Sequence, residues 1–298
     1  MGLKKWKGTG DIFKWRNHDI FYQQAGEGEA VFLLHGFVTS SWDWHLIWKD
    51  LSQHFHLFAP DFMGFGYSAK PVDYPYSYDE RAELIYDLAA LHGYDEIHLI
   101  ARSFNVSLAQ EMILRHNEGR SPVRIKSVVL LNGRLFPWTY QIAFSQWILL
   151  SPVGKWVGPL YGKGTLRRIY AKYFGKYIKM PESLVEEYYQ LVKYNQGKKV
   201  IHLLIGYWHE RLQKGKVWEQ ALKDTEIPIQ LIWGIEGQDE VGGMKTLHYY
   251  RDHIQNQYLV MLKDIGHFAP LECPEVVSDY YIRFMEGIGV LGGTNTDG

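Results

Sequence analysis

The chain has almost no cysteine, no long apolar run and almost no net charge, and each lack removes a class of protein. A single cysteine, Cys273, in 298 residues excludes an internal disulfide and suits a reducing compartment. No uninterrupted apolar stretch approaches the roughly 20 residues that a bilayer-crossing helix needs, so no membrane span is expected. Met1 to Lys7 is basic but lacks the apolar centre of a secretory signal, and a cytoplasmic protein is the expectation. The net charge of −1 leaves no global field to gather nucleic acid or an anionic membrane. No Cys–His spacing points to a metal, there is no internal repeat, and no cofactor is expected.

What the sequence does have is an ordinary globular composition, 46% hydrophobic and 22% charged, with a surplus of aromatics at 15%. Compact apolar runs at 30–34, 56–60, 97–100, 127–131, 229–233 and 258–262 read as buried strands. Residues 11–14 and 20–24 read as short strands around the turn Arg16-Asn17-His18-Asp19. Helical spacing over 78–92, 104–116 and 274–285 alternates with these strands, which argues a mainly parallel sheet with helices on both faces. The rhythm breaks over 134–225, a basic stretch rich in Trp and Tyr with no convincing strand. It reads as a helical cap inserted into a core of residues 1–133 and 226–286, with a flexible tail at 287–298.

Four landmarks follow one another in a chemically meaningful order. His35-Gly36-Phe37 comes after an early strand. A glycine-rich loop, Asp61-x-x-Gly64-x-Gly66-x-Ser68, follows the next. Ser103 stands between strand and helix in Ala101-Arg102-Ser103-Phe104-Asn105, and Ile265-Gly266-His267-Phe268 follows the last strand. Singly these are weak signals, but their order and spacing together are specific. Ser103 fits a nucleophile on a strand-to-helix turn, with the N–H groups of Phe37 and Phe104 as oxyanion donors and His267 as general base.

On these residues, and on Leu34 to Trp44, Asp61 to Gly66, Ala109-Gln110-Glu111 and Leu131-Asn132-Gly133-x-x-Phe136-Pro137, the chain resembles capped α/β-hydrolases of the epoxide hydrolase and haloalkane dehalogenase branch. Within it, the mesoderm-specific transcript-like proteins are the most similar. The resemblance covers roughly residues 10 to 285 and implies an α/β-hydrolase fold with a helical lid. It also marks departures. That branch carries His-Asp where this chain has Arg102-Ser103, glycine where it has Ala101 and Asn105, and an acid where it has Gly237. Serine attacking an alkyl carbon would leave an ether with no carbonyl to hydrolyse, so the change argues against epoxide or halide turnover and permits acyl transfer. Asp239 is the replacement acid chosen here, with Glu240 and Glu236 as further candidates and Asn132 able to hold an imidazole by hydrogen bonding alone.

Blander readings stand beside these. Ser103 could be a small buried residue in place of a lost nucleophile, and Asp239 a solvated loop carboxylate. His35 reads as structural, Asp43 as a helix-start residue and His45 as a helix residue. Arg102, Asn132, Arg134 and Trp138 are the expected substrate-binding residues, although the two arginines could equally face solvent or pair with acids. Most cap aromatics must be packing, with a few lining a pocket roof. The basic stretch Lys163 to Lys179 reads as a solvated helix face, with no nucleic-acid module around it. The expectation is a serine-nucleophile hydrolase, monomeric or homodimeric, acting on a small to medium apolar ester. A repurposed small-molecule-binding or interaction protein is the alternative, and an epoxide- or halide-processing enzyme a weaker one.

Overall fold

The computed structural model describes residues 1–236, 243–255 and 258–292. Eight strands form one sheet: β1 (Asp11–Trp15), β2 (His18–Ala25), β3 (Ala30–Leu34), β4 (His56–Pro60), β5 (Glu96–Arg102), β6 (Arg124–Leu131), β7 (Ile229–Gly234) and β8 (Tyr258–Leu262). Their order is β1-β2-β4-β3-β5-β6-β7-β8. The β1–β2 and β2–β4 pairs are antiparallel and the remaining pairs parallel. The all-apolar strands are the ones buried on both faces: β3 is buried at every position, as parallel strands between helical layers must be.

The helix Tyr78–Leu91 starts at Ser77, whose hydroxyl accepts the Glu80 N–H, a normal N-cap that satisfies one orphan donor. The helix Val106–Asn117 follows β5 directly through a single turn of 3₁₀ helix, Ser103–Asn105. Between β6 and β7 the chain leaves the sheet and builds a helical insert, which includes the helices Phe144–Leu150, Gly154–Val157, Lys163–Tyr173, Glu182–Lys193 and Tyr207–Asp224. Among the helices that go beyond the sequence reading, two bury large side chains in the core. Leu3–Thr9 buries Trp6 edge-on to Trp42 and Trp48. Gly243–His253 buries Leu247 and Tyr250. Among the described residues no helix is long and apolar enough to cross a membrane, and no cluster of His, Cys, Asp or Glu could hold a metal.

The parallel strands β3, β5, β6 and β7 end at Leu34, Arg102, Leu131 and Gly234. Each of these ends delivers a loop to the same edge of the sheet, where ligands of open α/β sheets collect. The insert covers that edge.

Candidate active site

Ser103 lies where β5 meets its helix, and its backbone is left-handed, with φ of +60°. That conformation costs a residue with a Cβ on the order of 1 kcal/mol or more, and its surroundings hold it there. Asn105, in the place where a glycine was expected to be needed, has an ordinary right-handed backbone, φ −78°. Its Nδ2 donates to the His35 carbonyl at 2.7 Å, tying the turn to the loop after β3. The close approach is instead made by Gly133. A Cβ there would meet the Val106 side chain at 2.3 Å and the Ser103 carbonyl at 2.7 Å.

The carbonyl of Phe104, one peptide on, accepts hydrogen bonds from the Tyr78 hydroxyl and from Arg211 Nη2, each at 2.8 Å. Arg211 belongs to the Tyr207–Asp224 helix of the insert and also donates from Nε to the Ser107 hydroxyl at 2.8 Å. Insert and core therefore meet on the turn itself. His35 is structural, as its context suggested. Its Nε2 accepts the Phe62 N–H at 3.2 Å, which leaves Nδ1 to donate to the Gly36 carbonyl at 2.8 Å. Burial holds its pKa below the usual histidine range.

Beneath the turn lies a buried charge pair. Arg102 Nη1 meets Asp43 Oδ2 at 2.6 Å, both side chains being almost wholly buried. Its Nη2 donates to the His267 carbonyl at 3.3 Å, and the guanidinium stacks 4.2 Å from the Phe268 ring centre. The Asp43 carboxylate also accepts from the Gly36 N–H, the Thr39 hydroxyl and the Tyr188 hydroxyl of the insert. Asp43 does sit in the first turn of a short helix, Ser41–Trp44. Its carboxylate, however, serves as a hub joining the β3 loop, the turn and the insert.

His267 is buried on the loop after β8. Burial, with Arg102 and Arg134 nearby, holds its pKa well below the usual histidine range, so the ring is neutral. Glu272 shapes that loop: its two carboxylate oxygens accept the N–H groups of Gly266, Phe268 and Gly175. The His267 Nδ1 has no hydrogen-bond partner among the described residues. Among the described residues no hydrogen bond joins Ser103 to His267.

Between sheet and insert lies a cavity of about 200 Å³. Ser103, His267, Phe37, Phe104 and Arg134 all line it, with Arg211 and the insert residues Tyr161, Tyr170, Tyr173 and Tyr207. Three expected substrate-binding residues lie elsewhere. Arg102 is held beneath the turn by Asp43. Asn132 is occupied by Gly234, whose N–H and carbonyl both pair with its side chain at 3.0 and 2.9 Å, so it does not hold the imidazole. Trp138 is 40% exposed, with Lys216 over its ring. Asp239, Glu240 and Gly237 lie outside the described residues. Asp43, Glu272 and Arg211 were not among the expected site residues. Glu272 had a faint signal, an acid five positions after the histidine.

A serine on a left-handed strand-to-helix turn and a histidine after the last strand, facing one cavity under a helical insert, define a capped hydrolase architecture. The chain belongs to the α/β-hydrolase fold family, whose pattern matches residues 29–274. It is 33% identical over 298 positions to the mesoderm-specific transcript protein of Mus musculus, covering 95% of this chain and 88% of that protein. It is 26% identical over 278 positions to the putative hydrolase LipZ of Mycobacterium tuberculosis, covering 93% and 96%. The haloalkane dehalogenase DbeA from Bradyrhizobium elkani superposes with a TM-score of 0.79 at 18% identity, covering 94% of this chain and 98% of its own, a likeness of fold.

Proposed function

We propose that this α/β-hydrolase acts on a small to medium apolar ester or related acyl compound, with Ser103 as nucleophile. The observation that carries the reading is the left-handed backbone at Ser103, on a turn whose side chain lines the cavity. Strain of this kind persists where the surroundings over-determine it, and it marks functional positions.

In this mechanism the Ser103 hydroxyl attacks the acyl carbon while neutral His267 takes its proton. The N–H groups of Phe37 and Phe104 hold the oxyanion. The tetrahedral intermediate collapses, and the proton on His267 goes to the departing alcohol. Water then repeats the sequence on the acyl-serine, releasing the acid and restoring Ser103. Asp239 is the proposed acid for the His267 Nδ1. Gly234 and Gly266 are packed so closely that a Cβ on Gly234 would meet the Gly266 carbonyl at 2.1 Å. The loop bearing Asp239 therefore starts beside the loop bearing His267, and five residues reach at most about 17 Å.

A second reading, a small-molecule-binding protein on the same scaffold, is favoured by His267 Nδ1 having no partner among the described residues. Fluorophosphonate labelling read by intact mass separates the two. One adduct on the native chain, absent from Ser103→Ala, is the expected result. No adduct at high reagent excess would overturn the hydrolase reading and leave the binding one.

A further inference from the structure

The insert roofs the cavity with one face and shows an unusual surface on the other. From the helices Phe144–Leu150 and Gly154–Val157 and the following turn, Gln146, Leu149, Val157 and Tyr161 point into the cavity. The outward side of the same stretch carries Phe144 at 80% exposure, Trp147 at 64%, Val153 at 49%, Trp156 at 63% and Leu160 at 77%. The two helices meet closely at Gly154, where a Cβ would strike the Leu149 carbonyl at 2.1 Å. The five side chains thus sit on two packed helices and the turn after them, within 17 residues of sequence. Scattered exposed apolar residues need no explanation, but five large ones on neighbouring helices mark a contact surface.

Charge says what the contact is. Residues 134–193 hold nine Lys and Arg against three Glu, while the whole chain has a net charge of −1. No Asp or Glu occurs between 134 and 181. Lys163 and Arg167 pair with Glu182 and Glu186, yet the region keeps a clear positive excess. Lys155, inside the patch, lies 4.3 Å from the Trp156 ring centre. Exposed Trp and Phe with a lysine among them, in a stretch of positive excess, suit a membrane–water interface, where aromatic rings settle at headgroup depth and basic side chains meet anionic lipid.

We infer that the outer face of the cap, centred on Phe144, Trp147, Trp156 and Leu160, docks on an anionic lipid surface. Docking lays the bilayer against the roof of the cavity. An ester held in that bilayer would then enter without crossing water. That last point rests on the hydrolase reading, whereas the docking does not.

The test is sedimentation of the full chain with vesicles of phosphatidylcholine alone or with added phosphatidylserine, at low and high salt. The expected result is binding to the phosphatidylserine vesicles, weakened by salt and accompanied by a blue shift of tryptophan emission. The variant Phe144→Ser/Trp147→Ser/Trp156→Ser/Leu160→Ser is expected to bind at least about tenfold more weakly with unchanged circular dichroism. If that variant fails to fold, Lys155→Glu with Arg168→Glu, the latter at an exposed residue of the helix Lys163–Tyr173, tests the charge alone, with an expected loss of roughly fivefold per charge. Ser103→Ala is expected to bind vesicles as the native chain does, which keeps a failure of chemistry separate from a failure of docking. Absence of vesicle binding, or binding indifferent to both variants, would overturn the inference. So would a concentration-dependent dimer that the fourfold variant dissolves, since a second copy would then be the occupant.

Discussion

Ser103 holds a backbone conformation that a residue with a Cβ adopts only under constraint, so the identity of position 103 sets stability and chemistry in opposite directions. Ser103→Gly relieves the left-handed strain and Ser103→Ala does not. The glycine variant is expected to be the more stable of the two by about 1 kcal/mol in urea unfolding, and neither should accept a fluorophosphonate. Equal midpoints would mean that the turn carries no strain. Beneath Ser103, the Arg102–Asp43 pair follows the rule for buried charges: breaking one partner strands the other. Asp43→Asn is expected to cost about 3–5 kcal/mol, and adding Arg102→Met should recover a good part of that loss in a double-mutant cycle. Asp43 also shows where reading a sequence stops. A carboxylate beside Ser41-Trp42 looks like a local helix-start residue, because its neighbours in sequence are visible. Its partners Arg102 and Tyr188 lie 59 and 145 positions away, and no local pattern announces them.

At the level of elements, the strands were legible because each is a short apolar run closed by a turn signal. β3, β4 and β8 fall at the expected residues, and β7 ends one residue later. The order His35-Gly36, Ser103, His267 was legible for the same reason, since sheet topology carries all three to one edge. The interior of the insert was not. The caps of its helices are mostly without side-chain bonds, and what they bury depends on the core beneath. Hence Trp138 was placed in the pocket and Arg211 was missed. One contact between elements is sharp enough to test. Gly133 lets the end of β6 rest against Val106 and the Ser103 carbonyl, so Gly133→Ala must push the turn away from the strand. A loss of about 1–3 kcal/mol is expected, together with slower labelling of Ser103. A variant that labels and unfolds like the native chain would show that the turn has room to move.

For the molecule as a whole, acid is the expected weakness. His35 and His267 are buried and neutral, with pKa values held below the usual range mainly by burial. The native state therefore refuses protons that the unfolded chain takes up below about pH 6.5. Stability is full above that value and is lost as pH falls through it, by about 1 kcal/mol per pH unit for each buried ring. Urea midpoints at successive pH values from 7.5 to 5 check this (an order-of-magnitude window set by the free histidine pKa). His267→Gln is expected to flatten the slope, and an unchanged slope would mean that His267 takes up its proton in the native state. A last consequence concerns traffic. Arg211 grips the Phe104 carbonyl, and Tyr188 grips Asp43, so two of the bonds that rivet the insert to the core lie at the Ser103 turn and directly beneath it. Swinging the whole insert aside would pull both rivets and dismantle the turn at every turnover. Exchange with the outside must be routed past them, which makes the doorway a matter of a few side chains rather than of a hinge.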